Sequence, residues 1–276
     1  MNLSKSDIDK IKGLSKNKDI FKMLRESIAP EIWGFDKIKE TIILQLFGNI
    51  NTLLVGDLGT AKSSFAEVVS GISTGNILCI KRLQRLSDQD KKQLMEKMEK
   101  PKALSVFATA NPNLGRFDPY VPIPEQISIP TELLSMFNIV FFVRDVPNKS
   151  SDEKIASHIL EGTQSKPKGA IDKELIRKYT FYAKNNINPL LSEDAKRELK
   201  KFYVGIRNPP RKKDSEIVPV AITARQLGVL VDISKAYARV RLSNEVNKQD
   251  AERAVDLMRC SLVMAGYDEL IENEKK

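Results

Sequence analysis

The sequence of 276 residues holds one histidine and two cysteines. Cys79 and Cys260 lie far apart, so no disulfide framework, zinc finger or cysteine-rich cluster can be assembled, and a reducing compartment is expected. The single His158 falls in a helical pattern opened by Ser150-Ser-Asp-Glu153 and continued by Ile155, Ile159 and Leu160, where a structural role is expected. No apolar run approaches the roughly 20 residues of a membrane span. The N-terminal MNLSKSDIDK places charges where a signal peptide needs an apolar core. The expectation is a cytoplasmic chain with no membrane partner.

What the chain has in excess is positive charge. Lys and Arg number 45 against 36 Asp and Glu, a net charge of +9, with a pI near 9.3. That balance fits a polyanionic partner and fits equally the solubility level of a basic intracellular protein. The basic residues Lys81, Arg82, Arg85, Lys91 and Lys92 have few aromatics beside them, so any DNA contact is expected to be weak and non-specific.

The periodicity divides the chain. Residues 1–50 read as a helical lead-in, with Ile20, Phe21, Leu24 and Ile28 on one face, an interruption at Ala29-Pro30, and a second helix over 35–47. Residues 51–149 alternate short continuous apolar runs with helices. The runs are NTLLV (51–55), ILCI (77–80), LSVFATA (104–110) and IVFFV (139–143), with helices over 62–70 and 88–100 between them. Such runs mark strands buried on both faces, so the reading is a three-layer α/β core with a parallel sheet. Residues 150–276 show helical spacing only, over 172–185, 192–205, 223–242 and 247–266. The proline-rich and charged NPPRKKDS (208–215) reads as a surface loop between bundle helices.

The most informative eight residues are Gly56, Asp57, Leu58, Gly59, Thr60, Ala61, Lys62 and Ser63, followed by Ser64, placed between a buried strand and a helix. Glycines let successive backbone N–H groups approach phosphate oxygens, a lysine adds a point charge on the outer phosphates, and a hydroxyl ligates Mg²⁺. Gly56 and Gly59 would shape this loop, Lys62 would supply the charge and Ser63 the metal-binding hydroxyl. Ala61 stands where the usual pattern has glycine.

GDLGTAKS, preceded by SIAPEIWGFDKIKETIILQLFG (27–48) and followed by ATANPNLGRFDP (108–119), LLSMFNIVFFVRD (133–145) and ITARQLGVLVDISKAYARVRLS (222–243), closely resembles the AAA+ motor of the archaeal type of minichromosome maintenance (MCM) replicative helicases. The resemblance implies a P-loop core of strand order 5-1-4-3, without strand 2 and the two pore hairpins, followed by an all-α lid. It implies ATP or ADP as ligand, and complete MCM subunits or further copies of the chain as partners. Residue by residue, Lys62 and Ser63 match the Walker A positions, Asn111 matches the sensor-1 asparagine that orients the attacking water, and Arg225 matches the sensor-2 arginine that reaches the nucleotide of a neighbouring subunit. Thr223 and Gln226 form a T-x-x-Q capping box, so Arg225 lies in a first helical turn, where a cation opposes the macrodipole and is better explained by a bound anion.

Three departures from the family set the expectation for activity. Its Walker B acidic pair aligns with Lys81 and Arg82. Two like unit charges about 4 Å apart are opposed by about 4 kcal/mol at an effective dielectric of roughly 20, which disfavours Mg²⁺ in its usual place. Nearby Asp88 and Asp90 read as part of the helix cap Ser87-Asp-Gln-Asp90 rather than as substitute ligands. The arginine-finger run is Ser135-Met136-Phe137-Asn138, so a neighbour's nucleotide would meet a thioether. Only residues 72–76 join the P-loop helix to the next strand, and EKPKA (99–103) replaces the second hairpin. The expected function is therefore a nucleotide-binding module, deficient in hydrolysis and unwinding by itself and accessory to a complete ring. Two rival readings remain: a working DNA-dependent ATPase whose metal site is rebuilt on Asp88 and Asp90, and a DNA- or protein-binding scaffold to which nucleotide is irrelevant.

Overall fold

A computed structural model of the chain describes residues 3–100, 104–161, 169–208, 222–268 and 271. The run at 209–215 and residues 101–103 of the EKPKA link lie outside the described residues. Two helices, α1 (Lys5–Ser15) and α2 (Ile20–Ser27), lead into α3 (Asp36–Phe47). The core then alternates β1 (Thr52–Gly56), α4 (Lys62–Ile72), β2 (Ile77–Ile80), α5 (Asp88–Glu99), β3 (Ser105–Ala110), α6 (Thr131–Ser135) and β4 (Ile139–Val143). The remainder comprises α7 (Lys149–Glu161), α8 (Lys173–Asn186), β5 (Leu190–Leu191), α9 (Glu193–Arg207), α10 (Ala224–Val240), β6 (Glu245–Val246) and α11 (Lys248–Met264).

The four core strands pair in parallel in the order β2-β3-β1-β4, which is the expected 5-1-4-3 order read from the other edge. The inner strands β1 and β3 are buried at every position, which is why they read as continuous apolar runs rather than alternating ones. Their side chains still alternate between two layers. Leu54, Phe107 and Phe141 join a large core with α1–α4 and α8–α11, while Leu53, Val55, Val106 and Phe142 face a smaller core closed by Leu94 of α5 and Leu133 of α6. Asn51 ties the strand starts together. Its side-chain carbonyl accepts from the Val106 N–H at 2.9 Å, and its own N–H donates to Asn138 Oδ1 at 2.6 Å.

The sheet's two edges are treated differently. β2 pairs only with β3 and is half-buried, as expected for the open edge. At the opposite edge α11 packs on β4, and the Ser261 hydroxyl donates to the Val140 carbonyl at 2.8 Å, satisfying a backbone acceptor that lacks a neighbouring strand.

Two expectations need correcting. The C-terminal part is not purely helical: Leu190–Leu191 and Glu245–Val246 form a short parallel pair that brings the starts of α9 and α11 together. Helical spacing over long segments hides a two-residue strand. The α7 helix begins two residues earlier than a cap at Ser150 would place it, because Asn148 is the capping residue: its side-chain oxygen accepts from the Ser151 N–H at 3.0 Å, and Asp152 accepts from the Asn148 N–H at 3.0 Å. His158 lies within 3.0 Å of the Pro30 carbonyl oxygen, a structural contact. No described helix is long and apolar enough to cross a membrane.

Candidate functional site

At the C-terminal end of β1 the chain turns sharply into α4. A Cβ at Gly56 would stand 2.7 Å from the Val143 carbonyl oxygen, so glycine is required there to let β1 approach β4 rather than to approach a ligand. Gly59 and Ala61 carry positive φ of 88° and 54°. The Ala61 departure is therefore sited at a left-handed residue, where a non-glycine costs about 1 kcal/mol. α4 starts on Ala61 without a side-chain cap, so its first N–H groups are free to meet an anion.

The loop is fixed by charge held inside the fold. Asp57 is 4% exposed; its two carboxylate oxygens accept from the Phe117 N–H at 2.7 Å and the Asp145 N–H at 2.8 Å. One buried carboxylate thus staples the segments that follow β3 and β4 to the start of the loop. Lys62 is 7% exposed, and its ammonium donates to the Asp57 carbonyl at 2.5 Å and to Thr60 Oγ1 at 3.0 Å. Burial pushes the Lys62 pKa below the usual lysine value, with the Asp57 charge opposing the shift. A phosphate would return to that cation the charge partner that water no longer provides.

Leu58, Gly59, Thr60, Ala61, Lys62, Ser63, Ser64, Arg82, Thr109 and Asn111 line one cleft of about 300 Å³. Seven of the expected loop residues and Asn111 are thereby brought together. Asn111 follows β3 directly, so the parallel β1–β3 register delivers it beside the loop. Gly56 and Asp57 lie beneath this cleft as supports. Thr109 is a lining residue that motif reading misses; the available signal is a polar side chain next to the end of an otherwise apolar run, between Ala108 and Ala110.

The two cations that the resemblance aligns with an acidic pair, Lys81 and Arg82, separate. Lys81 pairs with Glu67 of α4 at 2.7 Å and does not line the cleft. Arg82 lines it, with left-handed backbone (φ 58°) and its N–H 3.4 Å from Thr109 Oγ1. Asp88 and Asp90 take no part. The Ser87 hydroxyl accepts from the Asp90 N–H at 3.1 Å as a helix cap, and Asp88 pairs with Lys91 at 3.4 Å. Among the described residues no group of three or more His, Cys, Asp or Glu is placed to hold a metal ion. Mg²⁺ takes octahedral oxygen ligands with one or two carboxylates. The cleft is lined by hydroxyls, the Asn111 amide and Arg82, with no Asp or Glu, and without a carboxylate it does not fit that ion.

Arg225 belongs to a second cleft, of about 460 Å³, together with Lys92, Met95, Glu96, Glu99, Glu132, Ser135 and Met136. The Thr223 N–H donates to Gln226 Oε1 at 2.9 Å, so the expected box holds the start of α10. Arg225 is exposed. Met136 is 6% exposed, which corrects the expectation of a thioether offered to a neighbour: it packs into its own chain, and the basic groups of this cleft are Arg225 and Lys92.

A loop-to-helix phosphate cradle at the carboxyl end of a parallel sheet, with a helical lid behind it, defines a P-loop protein of the AAA+ class. The family model described as the MCM P-loop domain matches residues 7–78 and 72–163, and the MCM AAA-lid domain matches 174–262. The chain belongs to the MCM family. It is 30% identical, over 96% of its length, to the DNA replication licensing factor MCM4 of Arabidopsis thaliana and to the minichromosome maintenance protein MCM of Saccharolobus solfataricus, and covers 40% and 48% of them. An uncharacterized MCM-type protein of Methanocaldococcus jannaschii is 27% identical over 97% of the chain and is covered to 45%. The chain thus spans about half the length of the relatives it matches, or less. The two pieces of the P-loop match meet at 72–78, the α4–β2 link where the sequence places the missing strand and hairpin.

Proposed function

We propose that the chain is an MCM-type nucleotide-binding module that holds ATP or ADP, does not turn ATP over by itself, and works beside complete subunits of its family or further copies of itself. One observation carries the reading. The phosphate-cradling half of the cleft is whole, with Lys62, Ser63 and Asn111 converging, while the half that would hold a catalytic metal presents Arg82. Binding needs the first half; positioning and activating water needs both.

Arg225 supports the accessory role. It is exposed in a different cleft from the loop, beside the finger segment at 135–136, so it is available to a nucleotide held by a neighbour and not to one held by its own chain. The rebuilt-metal reading finds no support, because Asp88 and Asp90 are engaged in capping and pairing on α5. DNA contact, on this reading, is weak and non-specific.

The test is ATP binding by calorimetry and steady-state hydrolysis, each measured with and without a complete MCM protein. Binding without turnover alone, with a changed turnover in the mixture, is expected. Turnover by the purified chain at about 1 s⁻¹ or faster, the ordinary range of enzymes, overturns the reading.

A further inference from the structure

We propose that the Arg82 guanidinium takes the place of the divalent metal, so that this chain binds nucleoside di- and triphosphates free of Mg²⁺. The inference rests on the nucleotide-binding reading above and adds the charge state of the ligand.

Four observations carry it. Arg82 lines the same cleft as Lys62, Ser63, Thr109 and Asn111. Its backbone is pinned: φ is 58°, the N–H faces Thr109 Oγ1 at 3.4 Å, and the next residue, Leu83, is 0% exposed. Left-handed backbone at a bulky residue persists only where its surroundings over-determine it, so the side chain is delivered to the cleft from a fixed point. Among the described residues no ion pair engages Arg82, whereas the adjacent Lys81 is taken by Glu67 at 2.7 Å. The arginine that lines the cleft thus has no such partner among the described residues, and the lysine outside it has one. Finally, none of the residues that line this cleft is an Asp or Glu.

The chemistry is suited to the exchange. Guanidinium is permanently charged, presents a planar fork of donors, and binds phosphate oxygens two at a time. It meets the ligand as a side chain already attached to the fold, so no ion must be captured from solution. A metal-free polyphosphate carries more negative charge than its Mg²⁺ complex. A site with Lys62 and Arg82 and no carboxylate therefore favours the free anion, and Mg²⁺ bound to the phosphates would have to stand against Arg82.

The experiment is a calorimetric titration of ATP, and separately of ADP, into the wild-type chain in excess Mg²⁺ and in excess EDTA. Affinity in EDTA is expected to equal or exceed that in Mg²⁺. Arg82→Gln is expected to weaken binding in EDTA about tenfold, and Arg82→Glu about thirtyfold or more, as befits removing or reversing one charge-assisted hydrogen bond to phosphate. Lys81→Gln, outside the cleft, stays within about twofold of wild type. Arg82 is exposed, so the variants are checked for an unchanged melting temperature, and the wild-type metal comparison stands whatever they do. Binding in Mg²⁺ that falls tenfold or more in EDTA overturns the inference and leaves the proposed function standing. Equal affinity of Arg82→Gln and wild type in EDTA also overturns it. Binding in neither condition overturns both.

Discussion

The cradle cleft and the Arg225 cleft both expose basic groups, yet they hold charge in opposite ways. In the cradle, Asp57 and Lys62 are 4% and 7% exposed and hydrogen-bonded to backbone that the sheet fixes. In the other, Arg225, Glu96, Glu99 and Glu132 are solvated side chains on α10, α5 and α6. A buried charge is tolerated only with its partners in place, so it is part of folding; an exposed one is nearly neutral to folding and is free to serve another molecule. Lys81 and Arg82 are exposed, so a change of charge there costs folding little. A change at Asp57 or Lys62 would be felt by the fold as well as the ligand.

The largest effect is expected from Lys62→Ala, for which ATP affinity falls about 10² to 10³-fold as the charge-assisted hydrogen bonds to the outer phosphates disappear. Calorimetry at saturating protein measures it. A loss under tenfold would mean that the buried ammonium serves the loop alone.

Asp57→Ala comes next and acts on stability. It leaves the Phe117 and Asp145 N–H groups without their acceptor, and unmade hydrogen bonds to a charged group are expected to cost about 3 kcal/mol. For a chain of this size that lowers the melting temperature by about 6 to 12 °C. Glu132→Ala in the exposed cleft should change it by about 1 °C or less. Comparable losses from the two would erase the distinction between folded-in and surface charge.

Lys184 sharpens the same point from the other side. Its ammonium has no hydrogen-bond partner among the described residues, and burial, with Arg239 nearby, lowers its pKa to about 8. Unlike Lys62 it is buried without acceptors. Below pH 8 the lysine is protonated in both folded and unfolded chains, so the folded state bears the full penalty of the buried charge. As pH rises from about 8 towards the unfolded value near 10.5, the folded chain releases its proton first and the penalty disappears. Lys184→Met is therefore expected to stabilise the chain by about 2 to 3 kcal/mol at neutral pH, with the gain fading by about pH 10 in denaturant titrations. A gain independent of pH would assign the effect to packing instead.

How much of this was legible in the sequence follows from the range of each interaction. The strand order could be read because all four core strands are continuous apolar runs and the family motifs fix their sequence. The cradle could be read because Lys62, Ser63 and Thr60 lie within a few residues of one another. What escaped depends on contacts across the chain. The Asp57 staple joins residues 60 and 88 positions apart. The separation of Lys81 from Arg82 depends on Glu67, 14 residues away on α4. The burial of Met136 follows from packing that no local spacing announces, and the β5–β6 pair is two residues long.

The smallest expected effect is the most discriminating for the two clefts. Arg225→Ala in the isolated chain should leave ATP affinity within about twofold of wild type, a difference of about 0.4 kcal/mol, because Arg225 lines the cleft with Glu96, Glu99 and Ser135 and none of the loop residues. The same substitution should reduce any effect of this chain on ATP turnover by a complete MCM protein, since a cation offered to a neighbour's phosphates acts only when the neighbour is there. Titrating wild type and variant in both settings separates the arms. Loss of affinity in the isolated chain would place Arg225 over its own cradle and merge the clefts. An unchanged response in the mixture would leave Arg225 as a solvated residue among acidic neighbours, with the cradle, of these two clefts, as the one that acts on nucleotide.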